Sequence, residues 1–313
     1  PTATSASFIG DEYGSGAVLS EAYLAYTMKN TTVLIGRMFL DTPLVASSGS
    51  RMVKQAFEGA AVINTDLPNT TLIAGYVQKF QARTDGAGNI GEFTKNFGTG
   101  SGIASGVRVE DGAYTVAAIN KSIAGLTLTA AYADVIDIVK VGYAEAAYEG
   151  TAGKFTYGLA AQYYYNDVDG VADSNNLWGV KASLGYDAFG AYVAYSKVNN
   201  KATAPGLISG LGGGADLVYT ASPLNSSSYA NDTVAYKVGA TYALLKNANL
   251  GVSYTVNEID SAAATADKFS YTAVEADYAF EGVLKGLSLS AVYEDKGADG
   301  DGNELWIKSV YKF

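Results

Sequence analysis

The sequence predicts an all-β protein, a transmembrane antiparallel β-barrel. Three observations carry this reading. Segments of about ten residues alternate apolar and polar side chains, the period of a strand with one greasy face. No stretch approaches the roughly 18 consecutive apolar residues of a membrane helix, so a spanning chain has to close its backbone hydrogen bonds between strands. The last strand, 303–313, puts Leu305, Ile307, Tyr311 and Phe313 on one face with Ser309, and Glu304, Lys308 and Lys312 on the other with Trp306 and Val310. A terminal aromatic closing such a strand resembles the C-terminal assembly signal of bacterial outer-membrane barrels, with Tyr311 and Phe313 as its residues.

Fifteen strands are visible in order, at 20–29, 31–40, 56–65, 70–84, 110–122, 126–137, 138–150, 153–168, 177–187, 189–200, 234–246, 248–260, 269–281, 287–297 and 303–313. Most reach the roughly 9–11 residues a tilted strand needs to cross hydrocarbon. Alternation is cleanest late in the chain. Leu250, Val252, Tyr254 and Val256 oppose Asn249, Ser253, Thr255 and Asn257; Val274, Ala276, Tyr278 and Phe280 oppose Glu275 and Asp277. Burying such an acidic face in a dry core is costly, whereas a barrel lumen is wet, so the apolar face is expected to look outward.

The connections alternate between short turns and long loops, as the two sides of an outer-membrane barrel require. Short ones fall at 29–32, 65–70, 121–125, 149–153, 186–189, 246–249 and 281–286; long ones fall at 41–55, 84–109, 168–176, 201–233, 260–268 and 294–302. Only 134–137 breaks the pattern. Placing Phe313 on the periplasmic side puts every long loop outside. Fifteen is an odd count, and bacterial barrels normally have an even one. Either Ser5–Ile9 adds a strand or strands precede Pro1, and the second reading is preferred here.

Composition fits one large all-β domain over 1–313: 36 Gly, 24 Tyr, 5 Pro, no Cys and no His. Tyr rings suit the aromatic girdles of a barrel, and also suit any strand. Without Cys and His, disulfides, thiolate sites, the usual zinc sites and His-based acid–base catalysis are excluded. No carboxylate pair stands out as catalytic, and the bases are too scattered for nucleic acid.

The segment Glu21–Val77 contains Gly36-Arg37, Leu40-Asp41-Thr42-Pro43, Ser50-Arg51 and Phe57-Glu58-Gly59, followed by Leu72–Val77. This run resembles the major outer membrane porins of the Campylobacter type and, more distantly, the OprD-like porins of pseudomonads. The resemblance implies an eighteen-stranded barrel, a trimer, a setting of outer-membrane lipid and lipopolysaccharide, and passive diffusion of ions and small hydrophilic solutes. It also implies that the third external loop folds inward. With three strands before Pro1, the loop at 41–55 becomes that constriction loop.

Asp41, Arg51, Lys54 and Glu58 are then candidate constriction residues, either sorting solutes by charge or, through an Arg51 pair with Asp41 or Glu58, pinning the loop. Arg37, Lys79, Lys140, Lys154, Lys181 and Lys237 are candidate lumen bases for carboxylate-bearing solutes. Glu275 and Asp277 oppose them, with Glu145, Glu294 and Glu304. The net charge of −10 leans toward cations. The Gly-rich 206–214 stretch lacks the Lys-Ser/Thr of a phosphate loop and reads as a flexible external loop. Asp299 and Asp301 have the look of a calcium loop without its distal Glu, so a polar turn is the simpler reading and no cofactor is expected. The alternatives to a channel are an adhesin acting through its external loops, 84–109 and 201–233, and a soluble β-domain with a dry core.

Overall fold

A computed structural model describes residues 17–51, 53–83, 91–97, 107–201, 206–224, 229–260, 268–298 and 302–312. The Phe313 signal and the Asp299 and Asp301 turn lie outside them. Sixteen strands form one antiparallel sheet: β1 (Ala22–Met28), β2 (Thr31–Met38), β3 (Ala56–Asn64), β4 (Thr70–Gln81), β5 (Phe93–Thr94), β6 (Ala113–Ile123), β7 (Leu126–Val135), β8 (Val139–Ala152), β9 (Phe155–Val168), β10 (Asn175–Tyr186), β11 (Phe189–Val198), β12 (Thr233–Leu245), β13 (Ala248–Ile259), β14 (Lys268–Ala279), β15 (Leu287–Ala298) and β16 (Gly302–Tyr311). Fifteen follow one another in chain order, and β5 pairs with β4 off that path. All fifteen expected strands are present; β5, within the loop expected at 84–109, is the addition. A single three-residue 3₁₀ turn, Gly282–Leu284, is the only helix among the described residues.

Sequential antiparallel pairing follows from the turns. Lys29 (φ 53°) and Asp187 (φ 54°) stand in the left-handed region that tight hairpins require, as do Gly125 (φ 78°) and Gly153 (φ 63°). Register is then held by the two-residue period, since a one-residue slip would exchange the two faces.

One compact unit comprises 1–145, 164–174 and 208–217; a second comprises 146–163, 175–207 and 218–313. In the second, the faces are inverted relative to a water-soluble sheet. Val238, Val252 and Val274 are each about half exposed, whereas Ala235, Thr255, Asn257 and Ala273 on the opposite face are almost wholly covered. The first unit repeats the inversion on β6, with Tyr114 and Val116 exposed against buried Ala113, Thr115 and Ala117. At about 25 cal/mol per Å² of apolar surface, leaving such a face in water is unfavourable, so it fits lipid.

Aromatics mark both borders of that face. Near the short turns, Phe155 and Tyr186 rings lie 4.7 Å apart and Phe189 and Tyr242 rings 4.6 Å apart. Nearer the long loops, Trp178 meets Tyr195 at 5.0 Å, and Tyr195 meets Tyr236 at 5.2 Å. Trp178 and Tyr186 share a face of β10. Their separation in sequence corresponds to about 26 Å along the strand, or about 20 Å along the normal at a tilt of ~40°, close to the apolar band of a barrel.

Candidate functional site

Three consecutive strands place three charges in register: Arg37 opposite Glu58, and Glu58 opposite Lys79. Arg37 Nε donates to Glu58 Oε2 at 2.9 Å, Lys79 Nζ donates to Oε1 at 2.7 Å, and the Arg37 guanidinium lies 4.4 Å from the Phe93 ring centre. Gly36 pairs with Gly59 directly beside this row. Added Cβ atoms there would run into the carbonyl oxygens of Ala22 and Tyr76, so only glycine admits such close strands. The strand-borne part of the sequence motif, Gly-Arg and Phe-Glu-Gly, is thus one structural unit.

The loop from Phe39 to Gln55 begins beside that unit. Pro43 fixes its own φ and biases Thr42 away from helix. Thr42 N–H donates to the Val45 carbonyl (3.0 Å), and Ser47 N–H to that of Leu40 (2.8 Å). Leu44, Val45 and Ala46, at the centre of the loop, are buried.

Their cover is the glycine-rich 208–217 segment. Ala46 N–H donates to the Leu211 carbonyl at 3.0 Å, Leu211 N–H returns to that of Leu44 at 2.8 Å, and Gly214 N–H reaches Ala46 O at 3.2 Å. Gln55, fully buried, accepts from Ser48 N–H (3.0 Å) and Gly213 N–H (2.7 Å) through one oxygen. At Gly210 (φ 143°) a Cβ would lie 2.5 Å from the Leu44 carbonyl oxygen; at Gly212 (φ 85°) it would meet that of Ala46. The expectation of a flexible loop at 206–214 is therefore corrected. These glycines serve close backbone contact, not mobility.

Asn166 in β9 anchors the far side of the clamp. Its side-chain amide donates to the Ile208 carbonyl (2.7 Å) and accepts from the Ile208 N–H (2.9 Å), as a neighbouring strand would. Arg83 donates to Ser50 Oγ and to Ser48 Oγ (3.4 Å), and Gln81 donates to the Lys54 carbonyl at 3.0 Å. Burial pulls the Arg83 guanidinium below the ordinary arginine pKa. At the nearby loop edge, the hydrogen bond from Arg108 lowers the pKa of Glu110.

The expected residues divide as follows. Asp41 bridges to Ala46 inside the loop, Lys54 Nζ lies 5.3 Å from the Phe39 ring centre, and Arg51 reaches its neighbour Ser50's carbonyl at 3.5 Å. Both Glu58 oxygens are taken by Arg37 and Lys79, and Gln55, Gln81 and Arg83, which carry no such signal in the sequence, also hold the loop. Lys181, Lys237, Glu275 and Asp277 stand on the polar face of their strands. Lys140 does not. It lies opposite the face of buried Val139, Val141 and Tyr143, and pairs with Asp169 at 3.6 Å. Lys154 occupies the turn between β8 and β9 and pairs with Asp187 at 3.3 Å.

A search of curated proteins by sequence found no match. Solved structures match throughout: Pseudomonas aeruginosa OccD3 (OpdP) at TM-score 0.79 and 19% identity, over 94% of this chain and 77% of that one. P. aeruginosa OpdK, crystallised with vanillate, matches at TM-score 0.78 and 18% identity over 92% and 77%. Acinetobacter baumannii OccAB1 matches at 0.79 and 18% over 92% and 75%. The family model described as outer membrane porin, OprD family, covers residues 11–294. Alternating strands, an inverted exposure pattern and that match lead to one conclusion: the chain belongs to the OprD family of outer membrane porins, passive β-barrel channels rather than enzymes.

Proposed function

We infer that the 39–55 loop is the constriction of this channel, with Asp41, Arg51, Lys54 and Glu58 at or beside it. The observation that carries this reading is the clamp: a loop with a buried Leu44–Ala46 centre is held by backbone bonds to Leu211 and Gly214 and by Gln55. An element that sets pore radius has to be rigid, and these bonds supply rigidity. Small hydrophilic solutes then diffuse down their gradients, with no cofactor, sorted by size at the loop and by charge along Lys181, Lys237, Glu275 and Asp277.

The channel leans toward cations. The support is the excess of 31 acidic over 21 basic residues, which biases the potential near the pore. Within the family, the Gly36-Arg37, Asp41-Thr42-Pro43 and Phe57-Glu58-Gly59 motifs favour the Campylobacter-type subgroup, and with it a trimer. The adhesin reading has no comparable support. Recording single channels in a planar bilayer under a potassium chloride gradient tests the function. Stepwise conductance with a reversal potential on the cation side is expected; an anion-side value overturns the selectivity, and absence of conductance overturns the channel.

A further inference from the structure

The Arg37–Glu58–Lys79 row stands on the outward face of its strands. On β2, Arg37 shares a face with Ile35, which is 56% exposed, while Met38 on the other face is buried. On β3, Glu58 shares the face of exposed Val62, and the opposite face holds buried Phe57 and Ala61. Lys79 bonds to Glu58 from β4, where the register shifts between Glu58 and Gly59 and brings it to the same side. The expectation that Arg37 and Lys79 line the lumen is therefore corrected: they lie on the apolar, lipid-facing side. An aromatic pair sets their height. Tyr76 and Tyr114 rings lie 4.9 Å apart, and Tyr114 is more than half exposed. Tyr76 pairs with Ala60, so Glu58 stands two residues, about 7 Å along the strand, beyond that pair toward the long loops. Tyrosines border the hydrocarbon, and a charge just beyond them on the long-loop side meets the headgroups of the outer leaflet.

The row holds more base than its acid requires. One cation would neutralise Glu58, yet Arg37 takes Oε2 and Lys79 takes Oε1, and 36% of each basic side chain is exposed. Arg37 reaches Glu58 through Nε, which leaves the outer edge of its guanidinium turned away from the acid. The Phe93 ring, 4.4 Å from the guanidinium carbon, steadies its plane. The strand that carries Phe93 leads into a second group of the same composition, in which Lys95 and Arg108 both reach Glu110. Four bases thus surround two acids in a chain whose net charge is −10. A local positive excess at headgroup height, on an otherwise acidic protein, calls for an anion.

A planar guanidinium edge beside a compact ammonium is a donor set that phosphate oxygens accept well. The apolar face below it accommodates acyl chains, so an anionic lipid satisfies both halves of the surface at once. We propose that Arg37 and Lys79, bridged by Glu58 and flanked by Phe93, form an outward site for a phosphate group of lipopolysaccharide, whose acyl chains lie along the apolar face beneath Tyr76 and Tyr114. The site rests on the outer-membrane setting of the barrel and is independent of the 39–55 constriction. Lys140, also opposite a buried face, is matched by Asp169 at 3.6 Å and brings no excess charge of its own, which makes it the control.

The test uses the whole protein purified in detergent, with native mass spectrometry reading the bound fraction of three probes: bisphosphorylated lipid A, the same lipid stripped of phosphate, and inorganic phosphate. Wild type should prefer the bisphosphorylated lipid about tenfold, the worth of one charge-assisted hydrogen bond. Lys79→Gln leaves the Arg37–Glu58 pair in place and should lose most of that preference, whereas Lys79→Arg should keep it. Glu58→Gln raises the positive excess and should strengthen it, and Lys140→Gln should leave it unchanged. Equal binding of the two lipids by wild type overturns the site, as does an undiminished preference in Lys79→Gln or an equal loss in Lys140→Gln. Inorganic phosphate bound as tightly as the lipid overturns lipopolysaccharide as the occupant. Heat-dependent gel mobility reports the folding of each variant, and wild-type conductance reports the channel separately.

Discussion

Replacing Gln55 by Leu separates a clamped constriction from a merely adjacent loop. The side chain is fully buried, and its one oxygen accepts two backbone N–H groups, from Ser48 within the loop and from Gly213 across the clamp. Leucine fills nearly the same volume but accepts nothing, so the buried Ser48 N–H loses its partner, while the N–H of Gly213, an exposed residue, turns to solvent. At about 1–3 kcal/mol for the buried donor, the docked arrangement is weakened by about that much. The remaining backbone bonds between Ala46, Leu211 and Leu44 keep some attachment. The loop should then exchange between docked and undocked positions. The strand ladders are untouched, so barrel folding, read by heat-dependent gel mobility, should be unchanged. Single-channel recordings should show added noise with excursions to higher conductance. Glutamate at the same position keeps the acceptors and should remain quieter than leucine. A silent Gln55→Leu channel of wild-type conductance would refute the argument that this clamp sets the pore.

Three further outcomes follow from the same structure. Arg in place of Val274, half exposed on the apolar face, should cost about 2–4 kcal/mol of folding stability in bilayers, read by urea titration; equal tolerance at Val274 and Glu275 contradicts the assigned faces. Changing both Arg51 and Lys54 to Glu should move the reversal potential further toward cations, and an unmoved potential counts against their place at the pore. Gly59→Val should reduce the folded yield severely, since the added atoms meet the Tyr76 carbonyl, whereas Gly153→Ala, which has open space around it, should fold normally at a small backbone cost.

The sequence made the strands legible because alternation is a local property. Val252, Val274 and Tyr293 occupy one row across β13, β14 and β15, and each could be assigned outward from its own strand. Lys140 alternates with Val139, Val141 and Tyr143 along β8, so parity sets it on the face opposite theirs. The clamp was not legible at all. Gln55 and Gly213 are 158 residues apart, and no local pattern tells a glycine needed for contact from one needed for freedom. Arg83 and Gln81 likewise sit at a strand end where polar residues are ordinary. What distinguishes them is the loop that folds onto them.

That distance separates what fixes the ends of the 39–55 loop from what fixes its centre. The 39–55 loop is bounded by two strands that Arg37, Glu58 and the glycine pair hold in fixed register. Its two ends are therefore fixed by short-range features, and its centre is fixed from 208–214. A change at either end should alter folding before it alters conductance, because the strands themselves separate. A change at Gly210, Gly212 or Asn166 leaves the strands paired and releases only the centre. If 39–55 is the constriction, the residues that tune the pore without unmaking the barrel are thus expected on the loop's far partner, not on its own flanks.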